Sequence, residues 1–188
     1  MTHGNERWQE YAKNGEVLKT DGRDPSLGNP ELDEENYVSS SLIWLYRQTE
    51  NGLEVLFQKR SPFVDRHPNL WDIAAGGHID LGETPLEAAV REAREEIGAN
   101  ISAEKLRLAI AFRSPKKGLF LNEYLYDWTG EEDTFHFDDQ EVSEVKWIPL
   151  ADFDSFLDEY AKPPLKDDLI VRLAIKERLA AIVENGDN

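Results

Sequence analysis

The 188-residue sequence contains no cysteine. That absence removes disulfide frames, thiolate nucleophiles and cysteine-ligated zinc or iron–sulfur centres together, and it fits a reducing, cytoplasmic setting. Cations are scarce as well: 21 Lys and Arg stand against 38 Asp and Glu, for a formal net charge of −17. Such a surface repels phosphate backbones and anionic headgroups, so neither nucleic acid nor a membrane is expected as a partner. No stretch of about 18 apolar residues occurs, and the first residues lack the basic-then-apolar order of an export signal, so no bilayer crossing is expected. With 12 Gly and 9 Pro the chain is neither collagenous nor of disordered composition. What is present, 40% hydrophobic residues with 10% aromatics, suffices for one compact core.

Along the chain, Asn14-Gly15 between the apolar positions Trp8, Tyr11, Val17 and Leu18 predicts a small N-terminal hairpin, followed by a turn-rich surface loop over 21–36. Asn51-Gly52 between Tyr37–Tyr46 and Leu53–Lys59 predicts a second hairpin, in the central sheet. Further strands are expected at Trp71–Ala75, Leu106–Phe112, Asn122–Trp128 and Val142–Ile148. One helix is expected from Pro85 to Ile97: Thr84 is its N-cap, Glu87 completes a Thr-x-x-Glu capping box, and Gly98 stops it. Another is expected from about Leu165 to Glu184, where apolar residues on two sides hint at a homodimer contact. The fold class is therefore α+β, an α/β/α arrangement with a mixed central sheet, organised as residues 1–36 (hairpin and surface loop) before a main unit over 37–188.

On the first helix, Leu86, Ala89, Val90, Ala93 and Ile97 share one arc, the expected packing face, and Glu92, Glu95 and Glu96 share the neighbouring one. Carboxylates at i, i+3 and i+4 destabilise a helix by about a few tenths of a kcal/mol per pair. Arg91 can offset only part of that repulsion. A hard divalent cation with oxygen ligands is the economical compensation, and Mg²⁺ suits it because it accepts carboxylates, waters and substrate phosphates together. Taken alone, a Glu-x-x-Glu-Glu string is more often a solvated acidic face.

The residues upstream alter that balance. A glycine-bearing loop, Gly76-Gly77-His78-Ile79-Asp80-Leu81-Gly82-Glu83, runs directly into the capped helix. The string from Gly77 through Glu83, Arg91, Glu92, Glu95, Glu96 and Gly98 resembles the Nudix box, the signature of the Nudix hydrolase superfamily, with Ala93 and Ala99 where the pattern prefers larger aliphatics. Chance agreement at seven letters is on the order of 10⁻⁵. Gln58-Lys59-Arg60-Ser61 and Trp71-Asp72-Ile73-Ala74-Ala75-Gly76-Gly77-His78 look like the branch that includes isopentenyl-diphosphate isomerase and its hydrolase relatives. The isomerase chemistry of that branch needs a cysteine, which this chain lacks.

The resemblance implies a Nudix-like α/β/α sandwich and hydrolysis of a small-molecule phosphoanhydride, a nucleoside diphosphate linked to another group, with Mg²⁺ or Mn²⁺. It implies Glu92 and Glu96 as principal metal ligands, Glu95 as a further ligand, the Gly77 carbonyl as a completing donor, and Arg91 as an orienting partner of Glu83 or Glu95. The general base is open between Glu96 itself and an acid outside the box, with Glu141, Glu144 and Glu123 as candidates and Glu141 also a candidate ligand. Arg60, Lys59 and Trp71 are candidate substrate contacts. An alternative reading is a non-catalytic nucleotide-sensing module of the same fold.

Overall fold

A computed structural model describes residues 7–18, 36–114, 118–138 and 140–186. The expected surface loop after the first hairpin falls almost wholly outside them. Strands β1 (Glu10–Ala12), β2 (Asn36–Thr49), β3 (Gly52–Arg60), β4 (Trp71–Ile73) and β5 (Ala75–His78) precede helix α1 (Pro85–Ile97). Strands β6 (Arg107–Ser114), β7 (Leu119–Asp127) and β8 (Val142–Pro149) follow, and helices α2 (Phe153–Tyr160), α3 (Pro163–Lys166) and α4 (Leu169–Gly186) close the order. The sheet is mixed: β2 runs parallel to β7 and antiparallel to β1, β3 and β5, while β3 also pairs with β4 and β8.

Both Asn-Gly hairpins form. At the first, the Asn14 side chain accepts from the Glu16 amide and Tyr11 bridges to Val17; at the second, Thr49 bonds across the turn to Gly52 and Asn51. Strand alternation then divides the core in two. Val55, Phe57, Trp71 and Ile73 face Phe153, Phe156 and Leu157 of α2 and Val171, Ile175 and Leu179 of α4. On the other face Ile43, Leu45, Leu56 and Ala74 meet Ala89, Ala93 and Ile97 of α1.

Four expectations change. The strand expected over Trp71–Ala75 is two strands broken at Ala74, because β4 follows β3 while β5 crosses to β2. The single C-terminal helix is interrupted after Lys166, and α4 begins where the Asp168 carboxylate accepts from the Val171 amide, a cap that restarts the helix. Helix α2 was not expected at all. Finally, Leu86 is exposed on α1, and Ala88 and Glu96 are buried instead, so the packing arc is rolled toward the carboxylates. The outer side of α4 leaves Leu169, Ile170 and Leu173 exposed. Among the described residues no helix is long and apolar enough to cross a membrane.

Candidate active site

The site is assembled at α1, whose position follows from its own termini. The Thr84 hydroxyl accepts from the Glu87 amide while the Glu87 carboxylate accepts from Thr84, and Gly98 ends the helix at φ 68°. A Cβ at Gly98 would also lie 2.2 Å from the His136 ring and would require that exposed ring to shift. At Gly77 the constraint is closer to the chemistry, since a Cβ would lie 2.3 Å from a Glu92 carboxylate oxygen. The bare backbone of β5 thus lets the α1 carboxylates come down onto the sheet.

Arg91 is the hub. Its five N–H donors are all placed: Nε and Nη2 grip the two Glu83 oxygens at 3.0 and 2.9 Å, and Nη1 reaches Glu92 at 2.7 Å and Glu95 at 3.2 Å. The remaining Nη2 donor reaches the His78 carbonyl at 2.9 Å. Arg91 thus contacts three carboxylates at once, Glu83 among them with both oxygens. Those bonds raise the proton affinity of Arg91 even though its burial works the other way.

Glu96 lies beside this hub and is 6% exposed. One of its oxygens accepts from the Gln58 amide at 2.9 Å and the Gly76 backbone N–H at 3.0 Å. Desolvation, then repulsion by Glu92, pushes its pKa well above the ordinary carboxylate value despite the Gly76 bond. Glu92 is pushed up to about 7, mainly by desolvation, with Arg91 opposing and Glu95 and Glu83 adding to the rise. Two carboxylates held side by side away from water are costly as anions unless a cation joins them. One arginine among Glu83, Glu92, Glu95 and Glu96 leaves the site anionic.

Among the described residues no three Asp, Glu or His side chains stand close enough to enclose a metal ion as they are. The reason is visible: Arg91 occupies the space between Glu83, Glu92 and Glu95, and Gln58 and Gly76 take one oxygen of Glu96. The donor set is nevertheless all oxygen and repulsive, half-buried or buried apart from the exposed Glu95, with the Cβ-free backbone of Gly77 against Glu92, and that chemistry fits a hard divalent cation.

Beyond α1, the candidate residues divide by sheet face. Gln58 and Asp72 are register partners on β3 and β4, so their side chains share the α1 face, next to Glu96. Asp72 forms an ion pair with Lys162, and Arg60 Nη1 lies 4.0 Å from the same carboxylate. Lys162 arrives because Ala161 bridges to Trp71 and the Lys162 amide donates to the Trp71 carbonyl, which lays the α2–α3 link along the edge of β4. Arg60 is therefore near the carboxylates. Lys59 and Trp71 are not: they are register partners on the opposite face, where Trp71 packs edge-on against Phe156 and Lys59 lies over its ring and 3.8 Å from Glu144. Glu123 also sits on that far face, buried, and accepts from the Trp44 indole at 2.7 Å. Outside the box the charge of Asp72, and after it that of Glu141, bears on Glu96, and the Ser61 amide donates to the Glu141 carbonyl at 2.7 Å.

Gln58, Asp72 and Lys162 carried no assigned role in the sequence. The available signal for Gln58 is a polar residue directly after the apolar run Val55–Phe57 of β3; nothing local marks Lys162.

A family model described as "NUDIX domain" matches residues 37–169. Nudix hydrolase 3 of Arabidopsis thaliana is 28% identical over 155 residues, 76% of this chain and 20% of the plant protein. An uncharacterized Nudix hydrolase of Clostridium acetobutylicum is 29% identical over 137 residues, covering 68% of this chain and 65% of the other. The chain thus spans a fifth of the first relative and just under two thirds of the second. Among solved structures, DR0079 from Deinococcus radiodurans superposes with a TM-score of 0.68 at 25% identity, over 93% of this chain and 99% of that one.

Proposed function

Because the chain belongs to the NUDIX-domain family, matched over most of its length, we propose that it is a divalent-metal-dependent pyrophosphohydrolase. Its substrate class is a nucleoside diphosphate joined to another group, cut at the diphosphate by water attack at phosphorus. The observation that carries this reading is the buried Glu96 beside the half-buried Glu92, the first held by Gln58 and Gly76 and the second by Arg91, with Gly77 bare beside Glu92.

Glu92 and Glu96 would hold the ion, Mg²⁺ or Mn²⁺, with Glu95 joining directly or through water and the Gly77 carbonyl or Glu141 completing the set. The ion supplies charge neutralisation on the diphosphate oxygens and lowers the pKa of a nearby water. The side chains do the rest. Arg91 keeps Glu83, Glu92 and Glu95 in fixed directions, so their oxygens are not reorganised during the reaction. Gln58 and Gly76 hold one Glu96 oxygen and leave the other to accept a proton from the attacking water; Glu141 is the alternative base. Arg60 and Lys162, turned from Asp72 toward the substrate, are suited to its phosphate oxygens.

The test is release of phosphate and pyrophosphate from a panel of nucleoside diphosphate derivatives with Mg²⁺ at about pH 8.5, since carboxylates must be deprotonated to take the metal. Wild type is run beside Glu96→Gln. Turnover that needs the metal and is lost in the variant supports the enzyme. Tight binding of one nucleotide with no turnover on any member overturns it in favour of a nucleotide sensor.

A further inference from the structure

The stretch Arg7–Ala12 lies outside the family match at 37–169, yet it is built into the wall of the carboxylate site. The Gln9 amide donates to the Ile79 carbonyl at 3.2 Å, and the Leu81 amide donates to the Arg7 carbonyl at 2.6 Å. Trp8 and Asp80 form the antiparallel bridge between them, and Glu10–Ala12 continue as β1 along the Val38 end of β2. The Trp8 indole lies flat on the His78 imidazole, with ring centroids 3.8 Å apart and planes 12° from parallel.

This segment splints the loop from His78 to Glu83 that joins β5 to α1. Two backbone bonds between short segments open readily; a flat ring stack adds buried area and fixes orientation. The splinted loop is also where the Arg91 hub is anchored. The His78 carbonyl accepts from Arg91, and the Asp80 amide donates at 3.1 Å to Glu83, the residue that grips the guanidinium with both oxygens.

We propose that Trp8 is a positioning residue for the hydrolase site. By stacking on His78 it holds the loop whose His78 carbonyl and Glu83 carboxylate aim Arg91, and through Arg91 it sets the directions of Glu92 and Glu95. The inference rests on the hydrolase reading for its kinetic arm only.

The experiment compares Trp8→Leu, which keeps apolar bulk without a ring, with Trp8→Phe, which keeps a ring, both in the full chain. For Trp8→Leu the expected result is a fall in kcat of about 10-fold with KM within about two-fold, and Mn²⁺ binding by calorimetry weakened by about the same 10-fold factor. Trp8→Phe is expected to stay within about two-fold of wild type on both readouts. Circular dichroism verifies that each variant is folded at the assay temperature; should Trp8→Leu not be, His78→Ala removes the other ring and carries the same expectation. Wild-type kcat and Mn²⁺ affinity in Trp8→Leu, or an equal loss in Trp8→Phe, would overturn the positioning role. Wild-type protein that binds Mn²⁺ but turns over no panel member overturns the hydrolase reading instead, and the Mn²⁺ comparison then decides Trp8 on its own.

Discussion

Phe57 and Gln58 are neighbours on β3, and each is almost wholly excluded from water, yet they belong to opposite kinds of interior. Phe57 meets Trp44, Phe153 and Phe156, with ring centroids 4.9 to 6.0 Å apart, in a packed aromatic layer. Gln58 turns the other way and donates to a buried carboxylate beside another one. The same alternation sets Trp71 against Phe156 and Asp72 against Lys162. One face of β3 and β4 gains stability from burying carbon, and the other carries the desolvation cost of a buried carboxylate.

Substitutions on the two faces should therefore separate stability from activity. Phe57→Ala leaves a cavity in the aromatic layer and should cost about 3–5 kcal/mol, read by urea unfolding, with turnover per folded molecule retained. Glu96→Gln should do the reverse: turnover falls by more than the roughly 100-fold typical of outer-sphere changes, while the melting temperature holds or rises because one of two buried like charges is gone. An intermediate case is Gln58→Leu, which removes one donor from Glu96 without emptying space; about 10-fold lower turnover and weaker Mn²⁺ binding are expected, with near-wild-type unfolding.

The smallest effect belongs to the solvent-facing side of the α2–α4 layer. There Asp154 meets Lys176 and, at 3.1 Å, Arg172. The Lys176 bond, then that of Arg172, lowers the Asp154 pKa below its ordinary 3.8. A depressed carboxylate pKa contributes stability that is present above the unfolded value and lost as pH falls through the folded one. Asp154→Asn should then cost less than about 1 kcal/mol at neutral pH, since solvent screens the pair. The difference in melting temperature from wild type should vanish as pH drops below 3.8 and shrink with added salt.

Reading the chain ahead of its structure worked where the physics is short-ranged. The ends of α1, both Asn-Gly turns and the carboxylate spacing depend on residues within a few positions of one another, and each is as expected. The Asp168 cap before α4 and the Phe153, Phe156, Leu157 stripe of α2 are equally local, but the first is masked by an apolar periodicity that runs on from Leu165, and the second spans only two turns. Lys59 and Glu123 are candidates by family resemblance and Trp71 as a ring able to stack on a base, and the two-residue alternation of strands puts all three on the far face.

By itself, then, the sequence determined which carboxylates share one helix face, because an α-helix brings i, i+3 and i+4 together whatever surrounds it. Only the tertiary structure decided how those carboxylates are held. Gln58 lies 38 positions from Glu96, and Trp8 lies 70 from His78; no local periodicity links such pairs, and only the pairing of β3 with β4 and of the N-terminal segment with the loop after β5 closes those distances.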